Sequence, residues 1–393
     1  MRPVVVSGVG MIPFERRDED SLVDMMAMAG LRAMDDAGLG DRPVDSVYVG
    51  NMASGLFNHQ VSVASALVDR LSLMPAAADR VENGPASGGS AVKNGFLAVA
   101  SGFNDVVLVI GGEKMREVIG PRATDIVACM THPLAEYIYG VTLPAMAGMF
   151  TRLYMEKYGV TRKHLTEVAV KNQENGLLNP YAHIQKPLTM EDAMNEPIVS
   201  WPLKLCDCCP SSTGACAIVI TSEDKAKTMA GPPAWIKGLS HVGDTLFIGD
   251  RLERGNVKRL IENLDVAAKK AYTMAGIKDP RNEIDVAEIY NPFTILEIIA
   301  YESFGFCKSG EGTKLTEQGI PAMDGELPVN PSGGTLCSNP ISATGLYRVA
   351  DAANQIRGKA GPIQIPDVTN ALAHAAGGSG QFSFVMILSK NPN

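Results

Sequence analysis

The sequence predicts an α/β sandwich of two similar halves around an inserted irregular region, and three observations predict it. Apolar strands and helix-spaced stretches alternate from the start of the chain to about residue 112. From about Glu113 to Pro202 that order breaks into a Pro- and Tyr-bearing region holding two helices. Alternation resumes at Ala215–Thr221 and runs to a closing strand at Phe382–Leu388. The halves are placed at residues 1–222 and 232–393, with the inserted region, about 113–202, inside the first. They share element order but no obvious sequence repeat.

Val4–Val9 is apolar and β-branched, which suits a strand. Leu22–Ala37 carries apolar residues at helical spacing and ends at Gly38, a common helix terminator. Ser46–Val49 reads as a short strand and Val61–Leu71 as a helix. Ala86–Ser101 is a helix rich in Gly, Ala and Ser. In Asp105–Ile110 every residue after the first is apolar, as in a central parallel strand buried on both faces. The inserted region carries helices near Ala145–Tyr158 and Arg162–Gly176. The second half repeats the theme with strands at Ala234–Leu239 and Val286–Tyr290 and helices at Val257–Ala275, Phe293–Phe304 and Ala343–Arg357.

A chain of 393 residues with 46% hydrophobic and 20% charged residues has enough apolar material for a large layered body. Its net charge of −8, with scattered basic residues, argues against a nucleic-acid surface but leaves room for a local basic patch. Seven cysteines without regular spacing read as reduced thiols, and the tight Cys206-Asp207-Cys208-Cys209 cluster fits no tetrahedral metal pattern, so no metal is expected. The opening residues lack a secretion signal and no stretch suits a membrane span, which makes the cytoplasm the expected compartment. Gly8 and Gly10 follow the first strand, but position 13 is Pro, so the dinucleotide fingerprint is incomplete.

Four constellations can carry chemistry. In Val81–Ala91, a turn at Asn83-Gly84-Pro85 opens a helix with Ala86, Ser87, Gly88 and Gly89. Small residues there free amide N–H groups for an anion or thioester oxygen, although tight helix packing produces the same composition. In Asn330–Gly345, Gly333-Gly334 gives a permissive turn and Asn339 is a neutral hydrogen-bond donor before Pro340. Its neighbour Cys337 is a candidate thiol, as is Cys129, three residues before His132; a free cysteine is equally a small buried hydrophobe. Tyr290 and Asn291 end a strand, where a tyrosine either donates a proton or packs in the core. His374 precedes the Gly377-Gly378-Ser379-Gly380 turn and is the candidate base, since imidazole titrates near neutrality.

Both loop segments, together with the opening RPVVVSGVGMIPFERR, the strand DVVLVIGGEKM and the run EVAVKNQENGLLNP, resemble the thiolase superfamily, specifically its sterol-carrier and archaeal-type branch. The resemblance implies a five-layered αβαβα sandwich, an acyl-CoA substrate, assembly as a dimer or higher oligomer, and a partner with an OB-fold and zinc ribbon. It also implies departures. The family's nucleophilic cysteine falls at Pro85, its Gly-His-Pro histidine at Asn339, and its second cysteine is missing near Ala371. Tyr at position 290 resembles a branch of thiolase-like aldolases. The expected catalytic set is Tyr290, Asn339, His374 and Cys337, with Ser87, Gly88, Asn291, Gly377 and Gly378 around the substrate. Proline offers neither a nucleophile nor an N–H, so acyl transfer from position 85 is chemically excluded. The function expected is acyltransferase chemistry on acyl-CoA; its alternatives are non-covalent retro-aldol cleavage and a non-catalytic scaffold.

Overall fold

The computed structural model describes residues 1–15, 19–252 and 262–392. Its strands, in chain order, are β1 (Val4–Met11), β2 (Ser46–Gly50), β3 (Ala77–Val81), β4 (Val106–Lys114), β5 (Ile198–Ser200), β6 (Leu203–Lys204), β7 (Thr213–Ser222), β8 (Ala234–Gly243), β9 (Val286–Glu288), β10 (Asn370–Gly377) and β11 (Phe382–Ser389). Nine of them lie in the order β3-β2-β4-β7-β1-β8-β11-β10-β9. Among the described residues, the first five and last four are joined where Val5 and Val6 of β1 meet Trp235 and Ala234 of β8. The short hairpin β5-β6 belongs to the inserted region.

Alternation along the central strands builds three cores, and three cores make five layers. In β4, Val107 and Val109 face one core while Val106, Leu108 and Ile110 face another. In β7, Ile218 and Ile220 oppose Ala217 and Val219 in the same way. The middle core takes Phe384, Met386 and Leu388 from β11, with Val92 and Phe96 of helix Ser87–Ala100 and Leu346 and Val349 of helix Thr344–Arg357. Helix Leu22–Asp36 covers the outer face of the first half, and helix Glu262–Ala275 that of the second. The expected five-layered sandwich is thus what the chain forms, because strands apolar on both faces must be covered on both.

Two details differ from expectation. β4 pairs parallel with β2 but antiparallel with β7, so the sheet is mixed. Residues 370–377 form a strand paired along its whole length with β11, where the sequence reading assigned no element ahead of the glycine turn. Alanine and glycine have low strand propensity, but here neighbours on both sides override it. The Val257–Ala275 helix is seen from Glu262; residues 257–261 lie outside the described set.

Candidate active site

Glycine contacts bring the three sequence loops together. A Cβ on Gly377 would meet the Asn83 carbonyl oxygen at 2.3 Å and the Ala86 Cβ at 2.9 Å, and one on Gly88 would meet the Leu346 nitrogen at 2.6 Å. The 83–89 turn therefore sits against both the C-terminal glycine loop and the helix that follows Asn339. Backbone can approach backbone this closely only without side chains.

A cavity of about 140 Å³ lies where these loops meet the inserted region. Pro85, Cys209, Tyr290, Asn339, His374 and Gly378 line part of its wall. Most of the remaining wall is apolar and includes Met146, Phe150, Leu264, Phe293, Leu296 and Ile299. Tyr290, Asn339, His374 and Gly378 thus line the same cavity as Pro85.

Other expected residues are placed elsewhere. Cys337 is buried outside the cavity wall: its thiol donates to the Asn172 carbonyl at 3.2 Å, and burial pushes its pKa up to about 12. It faces the Gly176–Gly333 contact instead, since the short helix Gly334–Cys337 turns it away from Asn339. Ser87 closes the turn, donating to the Gly84 carbonyl at 2.5 Å and accepting from the Asn83 N–H at 2.9 Å. The Ala86 and Ser87 amides close on Asn83 and Gly84, so this helix start does not offer all the free donors its composition suggested. Gly88 and Gly377 serve close packing. Asn291 is fully buried in a side-chain network outside the cavity.

That network explains how Tyr290 is presented. Glu297 accepts from Lys171 at 2.5 Å, Asn172 at 2.8 Å, Asn291 at 2.6 Å and Asn330 at 3.2 Å, and also from the Tyr301 hydroxyl. Asn330 in turn accepts the Ile289 N–H at 2.7 Å, and Asn291 accepts the Thr335 N–H at 2.6 Å. With residues 289 and 291 anchored on either side, the intervening tyrosine is held at the cavity. Burial, then the neighbouring Cys209, raises the Tyr290 hydroxyl well above its ordinary pKa, so it remains a protonated donor.

Asn339 is also fixed. Its Oδ1 accepts from Thr344 Oγ1 at 3.1 Å, which turns its amide nitrogen toward Cys209 Sγ, also at 3.1 Å. Its backbone N–H donates to Ser212 Oγ at 3.0 Å. Cys209, which sequence reasoning assigned to structure alone, lines the cavity, and burial pushes its pKa up to about 12. No local signal distinguishes it from Cys208; only its contact with Asn339 does. His374 Nδ1 accepts the Tyr290 N–H at 3.3 Å, and burial lowers its pKa to about 3. That removes it as a base near neutrality, a role the sequence had suggested for it. Among the described residues no cluster of His, Cys, Asp and Glu could hold a metal ion. None of the described helices is long and apolar enough to cross a membrane.

The layered fold and the loops meeting at one cavity are those of the thiolase class, and the family comparison agrees. The thiolase N-terminal domain matches residues 4–200 and the thiolase C-terminal domain-like family residues 255–390, so the chain belongs to the thiolase family. It is 37% identical, over 99% of its own length and 100% of the relative's, to acetyl-CoA acetyltransferase of Methanothermobacter thermautotrophicus. Sterol carrier protein 2 of Oryctolagus cuniculus is 29% identical over 95% of this chain and 70% of that protein. Among solved structures, the Ltp2-ChsH2(DUF35) aldolase superposes with a TM-score of 0.84 at 28% identity, covering 98% of this chain and 97% of that one. The chain is thus a thiolase-family protein similar to acyltransferases acting on acyl-CoA, and the expected family and branch hold.

Proposed function

We propose that this chain breaks or forms the Cα–Cβ bond of an acyl-CoA without an acyl-enzyme, as a retro-aldol lyase on β-hydroxyacyl-CoA thioesters. The observation that carries this reading is Pro85 on the cavity wall, where the resemblance places the nucleophile. The thiol that shares the cavity, Cys209, is buried with its pKa near 12, which keeps it protonated and weakly nucleophilic near neutrality. In the cleavage the β-hydroxyl loses a proton, the Cα–Cβ electron pair becomes the thioester enolate, and Cα is then protonated. One proton leaves and one returns, so no redox partner is needed. Tyr290, held protonated, gives its hydroxyl proton to Cα as its oxygen takes up the β-hydroxyl proton, and the Asn339 amide stabilises the enolate oxygen, a donor role worth on the order of 3 kcal/mol. The largely apolar wall of the cavity suits a hydrocarbon group on the β-carbon.

A second reading, acyl transfer, is favoured by Cys209 itself, whose Sγ lies 3.1 Å from Asn339 Nδ2. The similarity to acetyl-CoA acetyltransferase and to the aldolase supports coenzyme A thioesters as substrates and, more distantly, a DUF35-type partner. The test incubates the protein with 3-hydroxy-3-phenylpropanoyl-CoA and follows benzaldehyde and acetyl-CoA by chromatography, with intact mass in parallel. Benzaldehyde release without a mass adduct is expected. An acetyl adduct on Cys209, with thiolysis of acetoacetyl-CoA, would establish acyl transfer instead.

A further inference from the structure

We propose that His374 serves as a fixed hydrogen-bond donor, presenting Nε2–H to an oxygen acceptor on the acyl part of the bound ligand. The ring is only 3% exposed, sits on β10 beside the end of β9, and lines the cavity next to Tyr290. Nδ1 accepts the Tyr290 backbone N–H. An amide hydrogen aimed at Nδ1 leaves no room for a second hydrogen there, so the ring proton belongs on Nε2. Protonating both nitrogens would break that contact and bury a charge, and burial accordingly disfavours the imidazolium. The edge-on Phe304 ring, 5.2 Å away centre to centre, fixes the imidazole plane without offering a polar partner.

Nε2 itself is buried with no hydrogen-bond partner. An unsatisfied buried N–H is costly, and it is retained here in a residue bordering the cavity. Its complement is an acceptor oxygen brought by the ligand. The inference rests on the acyl-CoA reading above for the ligand, but not for the tautomer. Two oxygens share the required chemistry, the thioester carbonyl and a β-oxygen, and the test separates them.

Three unreactive or slowly reacting ligands are titrated into wild type and His374→Leu: butyryl-CoA, S-butyl-CoA, which lacks the carbonyl oxygen, and S-(3-hydroxybutyl)-CoA, which adds a β-oxygen. In wild type, the ligand carrying the recognised oxygen is expected to bind about tenfold tighter than S-butyl-CoA, a preference lost in His374→Leu. The pair in which it vanishes identifies the oxygen. Equal effects of the substitution on all three ligands would overturn the proposal. Imidazole nitrogen NMR of wild type, labelled at its six histidines, provides a check that needs no variant. A His374 signal in the Nε2–H form that does not titrate between about pH 5 and 8 is expected. A titrating signal, or the Nδ1–H form, would refute it. If no CoA ligand binds, the acyl-CoA reading fails while the tautomer result still stands or falls on its own.

Discussion

Two buried polar regions lie a few residues apart and behave oppositely. Around Glu297, Lys171, Asn172, Asn291, Asn330 and Tyr301 all close on one carboxylate. Around the cavity, His374 Nε2 lacks a partner and the Tyr290 hydroxyl is held protonated by burial. A satisfied network is scaffolding, because a buried carboxylate is tolerated only when its neighbours neutralise it. A cavity group left open marks where a ligand completes the bonding. Asn291 and Tyr290 are adjacent in sequence, yet one belongs to each region.

The sharpest way to break this contrast is to remove the carboxylate. Glu297→Leu strands Lys171 and three asparagines, and is expected to cost about 3–5 kcal/mol of stability in urea unfolding. A loss under 1 kcal/mol, roughly the worth of an exposed ion pair, would show that the network is not scaffolding. Tyr290→Phe is the mirror experiment: cleavage should fall about 10²–10⁴-fold with the urea midpoint unchanged. An equal loss of stability would move Tyr290 to the scaffold side. Gly88→Ala drives a methyl into the Leu346 backbone, 2.6 Å from where its Cβ would sit, and should cost about 1–3 kcal/mol.

The pH dependence of stability sharpens the comparison further. His374 keeps its neutral form when folded until about pH 3, whereas an ordinary histidine takes up its proton near 6.5. The unfolded chain therefore binds more protons across that interval, and stability falls as pH drops from 6.5 toward 3. Above 6.5 this residue contributes no slope. His374→Gln should flatten the acid limb in urea titrations by removing this residue's share; His241, whose pKa burial lowers to about 4, adds a smaller share of the same sign. An unchanged limb would contradict the burial argument. The smallest effect is expected at Cys337→Ala, with turnover unchanged and roughly 1 kcal/mol of stability lost. A collapse of activity there would return Cys337 to the chemistry.

Much of this was legible beforehand because it is periodic or punctuated. The unbroken apolar runs of β4 and β7, the helix following Asn83-Gly84-Pro85 and the glycine loops all announce themselves locally. Strand β10 was not, since its alanine-rich sequence has no strand signal of its own and takes its form from β9 and β11. Cys209 was missed for a related reason: its thiol resembles its neighbours' until Asn339, 130 residues away, is placed against it.

By itself the sequence determined the layered α/β architecture, the resemblance to thiolases, the proline at position 85 and the small set of residues from which the site is drawn. Hydrophobic periodicity and turn chemistry act over a few residues, so one chain read in order reveals them. Only the tertiary structure decided which of those residues share a cavity, that Cys337 and Asn291 stand outside it, and that His374 is a buried neutral imidazole rather than a base. Proximity, desolvation and the direction of a hydrogen bond are properties of groups that meet across the fold, and the ordering of residues along a chain does not carry them.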